Sequence, residues 1–298
     1  MAKVAGKSYD WQLIKRLFAF ARPYKMIFAW SVFLTLCIAV LAPLRPFLIQ
    51  KTVDDYILSD DQSGLLTISL ILLILLFLQT IVQYYHTLLT NMLGQSVIKD
   101  LRIRVFNHIN RLRLKYFDQT PIGQLITRTV SDLETIAEVF SEGLIVIIGD
   151  ILQLVTIISF MLLISWKLTL IVLIPVPLLL LATYFFKEAI KSAFQTVRTQ
   201  VSQLNTFLQE HISGVNIIQY FAREEQEFEK FKNINALHRN AHIKSNWYYS
   251  IFFPVVELIS AMSIALLVWY GSKSILNQEI SAGVVVAFIM YVYMLFRP

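Results

Sequence analysis

Apolar positions along this chain come in two textures. Unbroken runs occupy about 26–49, 65–89, 144–165, 168–186 and 251–270, and a sixth starts at Ala282 and is still running at Pro298. Crossing roughly 30 Å of hydrocarbon takes about 20 residues as a helix, so these runs predict six membrane spans, the last expected to be cut short. Between runs two and three, and again between four and five, the pattern becomes periodic. Ile98, Leu101, Val105, Ile109 and Leu112 recur every three or four residues, and so do Ile190, Phe194, Val197, Val201, Leu204 and Leu208. That spacing marks one apolar stripe on a helix.

Both stripes follow their spans without a Gly or Pro break, so the spans are expected to continue as helices beyond the membrane. A helix from Asn91 to Phe117 would reach roughly 40 Å. The segments 90–143 and 187–250 therefore read as two extended helical hairpins, and the fold class is an all-α polytopic membrane protein. Each hairpin turns at a helix breaker: Pro121 and Gly123 in the first, Gly214 in the second. Small apolar clusters follow, Ile122, Leu125 and Ile126 in one and Ile217, Ile218, Tyr220 and Phe221 in the other. Apolar residues so far from lipid suit either a docking surface for another protein or a turn packed on itself.

Charge orients the chain. Lys and Arg number six up to Lys25, seven in 90–143 and eight in 187–250, against Lys51, Lys167 and Lys273 on the opposite connections. The rule that basic loops stay inside predicts that both termini and both hairpins are cytoplasmic, in the cell membrane. The net charge of +6 is then a topology signal, and no nucleic-acid partner is read from it. Residues 1–25 form a basic lead segment whose Trp11, Leu13, Ile14, Leu17, Phe18 and Phe20 suit an interfacial helix before span one. The first 25 residues show no apolar core of a secretory signal. The single cysteine, Cys37, lies in an apolar run and forms no disulfide within one chain.

The two hairpin tips carry a family resemblance. "YFDQTPIGQLITRTVSDLE" resembles the first intracellular-loop signature of ABC exporters, and "LQEHISGVNIIQYFAREEQEFEKF" resembles the second. The six spans, the lead segment and "LFRP" near the end fit as well, so the resemblance covers essentially the whole chain. It implies the type IV exporter transmembrane fold, dimerised with a second half, identical or not, with spans four and five crossing to the partner half. It implies short coupling helices at Asp118–Arg128 and Gly214–Glu224, seated in nucleotide-binding domains that use ATP and Mg. The residues carried over for coupling are Asp118, Pro121, Gly123, Arg128, Asp132, Glu210, Gly214, Tyr220, Phe221, Arg223 and Glu224.

A phosphate-cradling G-x-x-x-x-G-K-[ST] is missing: no two of the nine glycines stand correctly before a lysine. The chain therefore reads as the translocating half of an ATP-hydrolysing exporter for multidrug or lipid-like amphiphiles, with the ATPase domain absent and no cofactor of its own. The alternative is a non-transporting membrane subunit that keeps this fold and gates or scaffolds a partner. No catalytic constellation is present.

Ionisable and polar residues inside spans usually face a cavity or a partner. Gln79, Gln83, Asp150, Gln153 and Glu257 are candidates to line a cavity for a cationic amphiphile, with His86 on the same stripe and Phe288, Tyr291, Tyr293 and Phe296 as aromatic walls. Helix–helix hydrogen bonding accounts for the glutamines equally well. Arg45, just before Pro46 near the outer end of span one, is expected to snorkel towards the headgroups. His238 and His242, four apart, read as a solvated helix face without metal.

Overall fold

The computed structural model describes residues 22–59, 61–119, 122–138, 143 and 145–298, and no strand occurs among them. The lead segment before Arg22 lies outside the described residues. After a short 3₁₀ turn come helices α1 (Lys25–Lys51), α2 (Gln62–Ile109), α3 (Leu114–Gln119), α4 (Ile122–Thr129), α5 (Ser131–Glu138) and α6 (Ile145–Ile164). They are followed by α7 (Trp166–Leu173), α8 (Val176–Ser213), α9 (Val215–Tyr220), α10 (Glu224–Leu276) and α11 (Ala282–Phe296). Among the described residues five helical stretches are long and apolar enough to cross a membrane, one fewer than the six spans expected, and α11 is a shorter apolar helix.

The chain separates into two compact units: the segment up to Ile164 with Ile280–Pro298, and Ser165–Glu279. In the first, α1 packs against α2, α6 and α11. Where α2 leaves its apolar run, Leu93, Val97 and Leu101 form a buried cluster with Leu133 of α5 and Ile145 of α6, flanked by Tyr24, Ile27, Phe28 and Val105. Leu101 and Val105 belong to the stripe read from the sequence. The Tyr24 hydroxyl donates to the Asp100 carboxylate at 3.1 Å and ties the start of α1 to the same place.

The first hairpin departs from expectation. Instead of running straight to Phe117, α2 stops at Ile109, and its end tightens through Arg111 N–H to His108 C=O and Leu112 N–H to Ile109 C=O, both at 3.0 Å. Asn110 sits at the break, a residue whose side chain competes with helical hydrogen bonding. The chain then folds into three short helices rather than one lever.

In the second unit, α10 packs on α8 and on α7. Its buried positions include Ala241, Ser245, Ser263, Gly271 and Ser274, small residues that let helix backbones approach closely. Span four is interrupted, because Pro175 cannot donate within a helix and α7 ends at Leu173. Ser263 of α10 donates its hydroxyl to the Val172 carbonyl at 3.3 Å, beside that break. Beyond the span, Ala193 and Val197 on α8 are buried; Val197 is part of the predicted stripe.

Candidate functional site

The best-defined surface feature is the tip joining α8 to α10. Gly214 ends α8, its N–H donating to Glu210 C=O at 2.9 Å, and it also opens α9. Helix α9 closes with a two-bond turn in which Arg223 N–H reaches Ile218 C=O at 3.0 Å and Ala222 N–H reaches Gln219 C=O at 3.1 Å. This is the Schellman helix ending, whose left-handed residue is usually glycine, but here Ala222 takes that conformation, with φ 47°. An alanine fits there only at a cost, so the turn is held by its surroundings.

Those surroundings clamp the two arms. The His211 ring stacks on Phe207 with centroids 3.6 Å apart, and its Nδ1 lies 2.8 Å from the Phe207 carbonyl. Its Nε2 lies 2.6 Å from Glu227 on α10, and Lys230 donates to the same carboxylate at 2.6 Å. The Lys230 and His211 hydrogen bonds hold the Glu227 carboxyl below its ordinary value. Glu224, Glu225 and Glu227 also sit in the first turn of α10, where negative charge suits the helix dipole.

What the clamp presents is apolar. Ile217 is 64% exposed, Tyr220 88% and Phe221 74%, beside a hollow of about 450 Å³ lined by Asn216, Gln219 and Tyr220. Glu210, Arg223 and Glu224 are exposed around it, and Arg223 donates to Gln226 at 2.7 Å. The first tip is built differently. Leu125 and Leu133 turn inward, whereas Leu114 and Ile126 are exposed. Asp118 and Asp132 are exposed, Asp132 in the first turn of α5, and a Cβ at Gly123 would meet open space. Pro121 lies outside the described residues, as does the side chain of Arg128, whose backbone belongs to α4.

Two cavities open in the first unit between predicted spans. One of about 780 Å³ is lined by Gln79 and Gln83 together with Arg45. A neighbouring one of about 190 Å³ gathers Gln83, His86, Asp150 and Gln153. There, Thr35 donates to the Ser31 carbonyl at 2.8 Å, so its hydroxyl oxygen accepts from His86 Nε2 at 3.0 Å. That assigns the ring proton to Nε2 and leaves Nδ1 buried without a partner among the described residues. The sequence reading passed over Ser31 and Thr35, although two hydroxyl residues four apart in an apolar run are a usable signal of a helix contact.

The aromatic candidates go elsewhere. Phe288 and Tyr291 are fully buried, edge to face at 6.1 Å, and the Tyr291 hydroxyl donates to the Pro43 carbonyl at 2.8 Å. They pack α11 onto α1 and line neither cavity, because the α11 face that turns inward is filled by α1. Tyr293 is exposed and Phe296 partly so. Glu257 is exposed on α10 and lines neither cavity. Arg45, expected to snorkel, is half-buried and faces the larger cavity. The His238 and His242 rings meet at 4.6 Å, and no metal-binding group of three or more His, Cys, Asp or Glu forms among the described residues.

The family model for the ABC transporter transmembrane region matches residues 27–298. The chain belongs to that family. Its all-helical build with long spans and hairpins is the exporter-type transmembrane fold of the family. Among curated relatives, the chain is 31% identical to the uncharacterized ABC transporter ATP-binding protein YknV of Bacillus subtilis, over 99% of this chain and 49% of the relative. It is 26% identical to an ATP-dependent lipid A-core flippase of Desulfotalea psychrophila, over 96% of this chain and 50% of the relative. It is also 29% identical to the multidrug resistance-like ATP-binding protein MdlA of Buchnera aphidicola subsp. Baizongia pistaciae, over 96% and 50% respectively. This ABC transporter membrane region thus spans about half the length of the curated relatives it matches.

Proposed function

We propose that this chain is the substrate-translocating half of an ATP-driven exporter, working as a dimer of such halves in the cell membrane. In this reading both termini and both hairpins face the cytoplasm, as the excess of Lys and Arg there argues. Nucleotide-binding domains that hold ATP and Mg, as a continuation of the chain or a separate one, dock on the hairpin tips. Their approach and separation on ATP binding and hydrolysis swing the long helices and expose the cavity to each side in turn. The substrate is a hydrophobic or amphipathic molecule, a class to which the names of the flippase and multidrug relatives also point.

The observation that carries this reading is α9 itself. Three large apolar side chains, Ile217, Tyr220 and Phe221, project from a clamped turn at the end of helices far longer than a bilayer requires. A turn that existed only to reverse the chain would fold such residues inward.

The test is Tyr220→Ala/Phe221→Ala in the full-length protein. Transport and substrate-stimulated ATPase activity are expected to fall at least tenfold, with membrane insertion and thermal stability unchanged. Undiminished transport in the double variant would overturn the docking role. ATPase activity that no substrate stimulates would favour a subunit that gates or scaffolds a partner.

A further inference from the structure

His211 stands in the last turn of α8, and both nitrogens of its ring face acceptors. Nδ1 lies 2.8 Å from the Phe207 carbonyl, and Nε2 lies 2.6 Å from a carboxylate oxygen of Glu227 on α10. A carbonyl oxygen can only accept a hydrogen bond, and so can an ionised carboxylate. Glu227 is ionised at neutral pH, because the bonds from Lys230 and His211 hold its carboxyl below the ordinary value. Each ring nitrogen therefore has to supply a proton, and the form that satisfies both contacts is the imidazolium. A neutral ring would set a lone pair against one of the two oxygens. The stacking agrees: the ring lies over Phe207 with planes 20° apart, and an aromatic face attracts a cation.

The elements packed around this end of α8 are α9 and α10. From α10 the Glu227 carboxylate faces the ring, with Lys230 on its other oxygen. Glu224 and Glu225 are exposed, Glu229 pairs with Lys232, and Arg223 donates to Gln226. Helix α9 carries no charged residue, and on α8 itself Glu210 is exposed. The His211 and Glu227 side chains are 24% and 19% exposed, shielded yet open to proton exchange. Their contact closes across α9: His211 precedes Gly214, and Glu227 follows the Ala222 turn, whose left-handed backbone does not favour alanine. Loosening the contact frees a segment that does not hold itself.

We propose that His211 is the positioning residue of this tip: with both ring protons it fixes α9 in the orientation that docks, and loss of one proton to water frees α9 and weakens coupling. Both contacts belong to the charged ring, so the clamp is complete at lower pH and loses one bond as pH rises. Protonation of Glu227 limits it on the acid side, which leaves a window in which the tip is held. The proposal deepens the exporter reading by naming a control on its docking tip, and it rests on that reading only for what docks there.

The experiment uses the full-length protein in nanodiscs, labelled with nitrogen-15 histidine. It is titrated from about pH 6 to about pH 9, an interval over which imidazoles pass from mostly charged to neutral. The His211 signal is the one missing from His211→Gln and from His211→Arg, so either variant assigns it. At the acid end both ring nitrogens should carry protons. Loss of one should coincide with a fall of at least about fivefold in hydrogen-exchange protection of the α9 amides, corrected for the intrinsic rate. A ring with a single proton at about pH 6, or α9 protection that stays level while the ring loses its proton, overturns the proposal.

His211→Arg keeps a cation and a planar fork of donors throughout this interval. Its α9 protection and its transport per ATP hydrolysed should stay level, whereas the wild-type protein loses at least about threefold in coupling by the alkaline end. An equal loss in both proteins overturns the role of the ring. Should His211→Arg fail to insert, the two wild-type titrations still decide it. Tyr220→Ala/Phe221→Ala should keep the wild-type titration of the ring while transport fails at every pH, so a failure of docking is distinguishable from a failure of this clamp.

Discussion

The Asp54 carboxylate caps a helix that begins far along the chain: it accepts the Gly283 N–H at 2.9 Å, 229 residues away, and the Ser281 hydroxyl as well. Ser281 makes no capping hydrogen bond with its own side chain, so the start of α11 depends on a π-helical segment after α1, Thr52–Ile57. Replacing Asp54 by Ala leaves helical N–H groups without that partner and should cost about 1 kcal/mol. Gly283→Ala should be worse, since its Cβ would meet the Gln50 carbonyl at 2.5 Å and Asp54 Oδ1 at 2.6 Å. Thermal unfolding of the purified protein checks both. Gly283→Ala at wild-type stability would mean that α11 is not held this closely.

Ala222 should tolerate glycine better than any larger residue. Its φ of 47° is a conformation that costs a non-glycine residue roughly 1–2 kcal/mol, part of which glycine gives back through its greater freedom when unfolded. Ala222→Gly is expected to slow hydrogen exchange of the amides in α9, and Ala222→Val to speed it. The reverse order would show that the turn relaxes in solution.

Acid should loosen the same tip through Glu227. Its carboxyl is held below its ordinary value by the Lys230 hydrogen bond first and by His211 second. A lowered value in the fold means the contribution is fully present above the ordinary Glu value near pH 4.3. It is lost as pH falls through the lowered one. Exchange protection around 207–230 should therefore hold at pH 6 and fall below about pH 4, and Glu227→Gln should flatten that dependence.

Truncating Leu133 tests how α5 is seated. It is 4% exposed within the cluster of Leu93, Val97, Leu101 and Ile145, so Leu133→Ala should cost about 2–5 kcal/mol. Arg102 reaches Glu134 at 3.3 Å across the same contact, but both side chains are largely exposed, and Arg102→Ala should cost no more than about 1 kcal/mol. Urea titration of the two variants gives the comparison. Equal losses would place the ion pair, not the leucine, at the centre of this contact.

Gly123→Ala separates the helix from its use. A Cβ there meets open space within the chain, and alanine is about 0.5–1 kcal/mol better than glycine inside a helix. The variant should be slightly more stable. If another domain docks closely on α4, the same change should lower transport; gains in both would argue against close approach at Gly123.

Long apolar runs and three-four spacings were enough to read an all-helical chain whose described residues hold five helices long enough to span a membrane, with the sixth expected span appearing as the shorter apolar helix α11, because helix formation and packing act on local pattern. Leu101, Val105 and Val197 face inward as their spacing requires, whereas Phe194, Val201 and Leu208 of the second stripe are exposed. The motifs around Gly123 and Gly214 led to the family for the same reason, since they are contiguous in the chain. Local pattern did not show α2 stopping at Ile109, where neither Gly nor Pro stands, or Ala222 in a left-handed turn.

Contacts distant in sequence were decided by tertiary structure alone. Spacing places Phe288, Tyr291, Gln79 and Arg45 equally well on a cavity, in a core or at a headgroup, since each lies on a helix with several available faces. Packing of α11 on α1 turned Phe288 and Tyr291 into core, and the α1–α2 register set Arg45 against a groove. Asp54 looked like one more charge on an outer loop until the fold brought it to the amide of Gly283. The sequence by itself determined that the chain is helical and where its long apolar helices run, because those depend on short-range hydrogen bonding and transfer energy. Which faces meet depends on how helices hundreds of residues apart fill one another's grooves, and only the folded chain decides that.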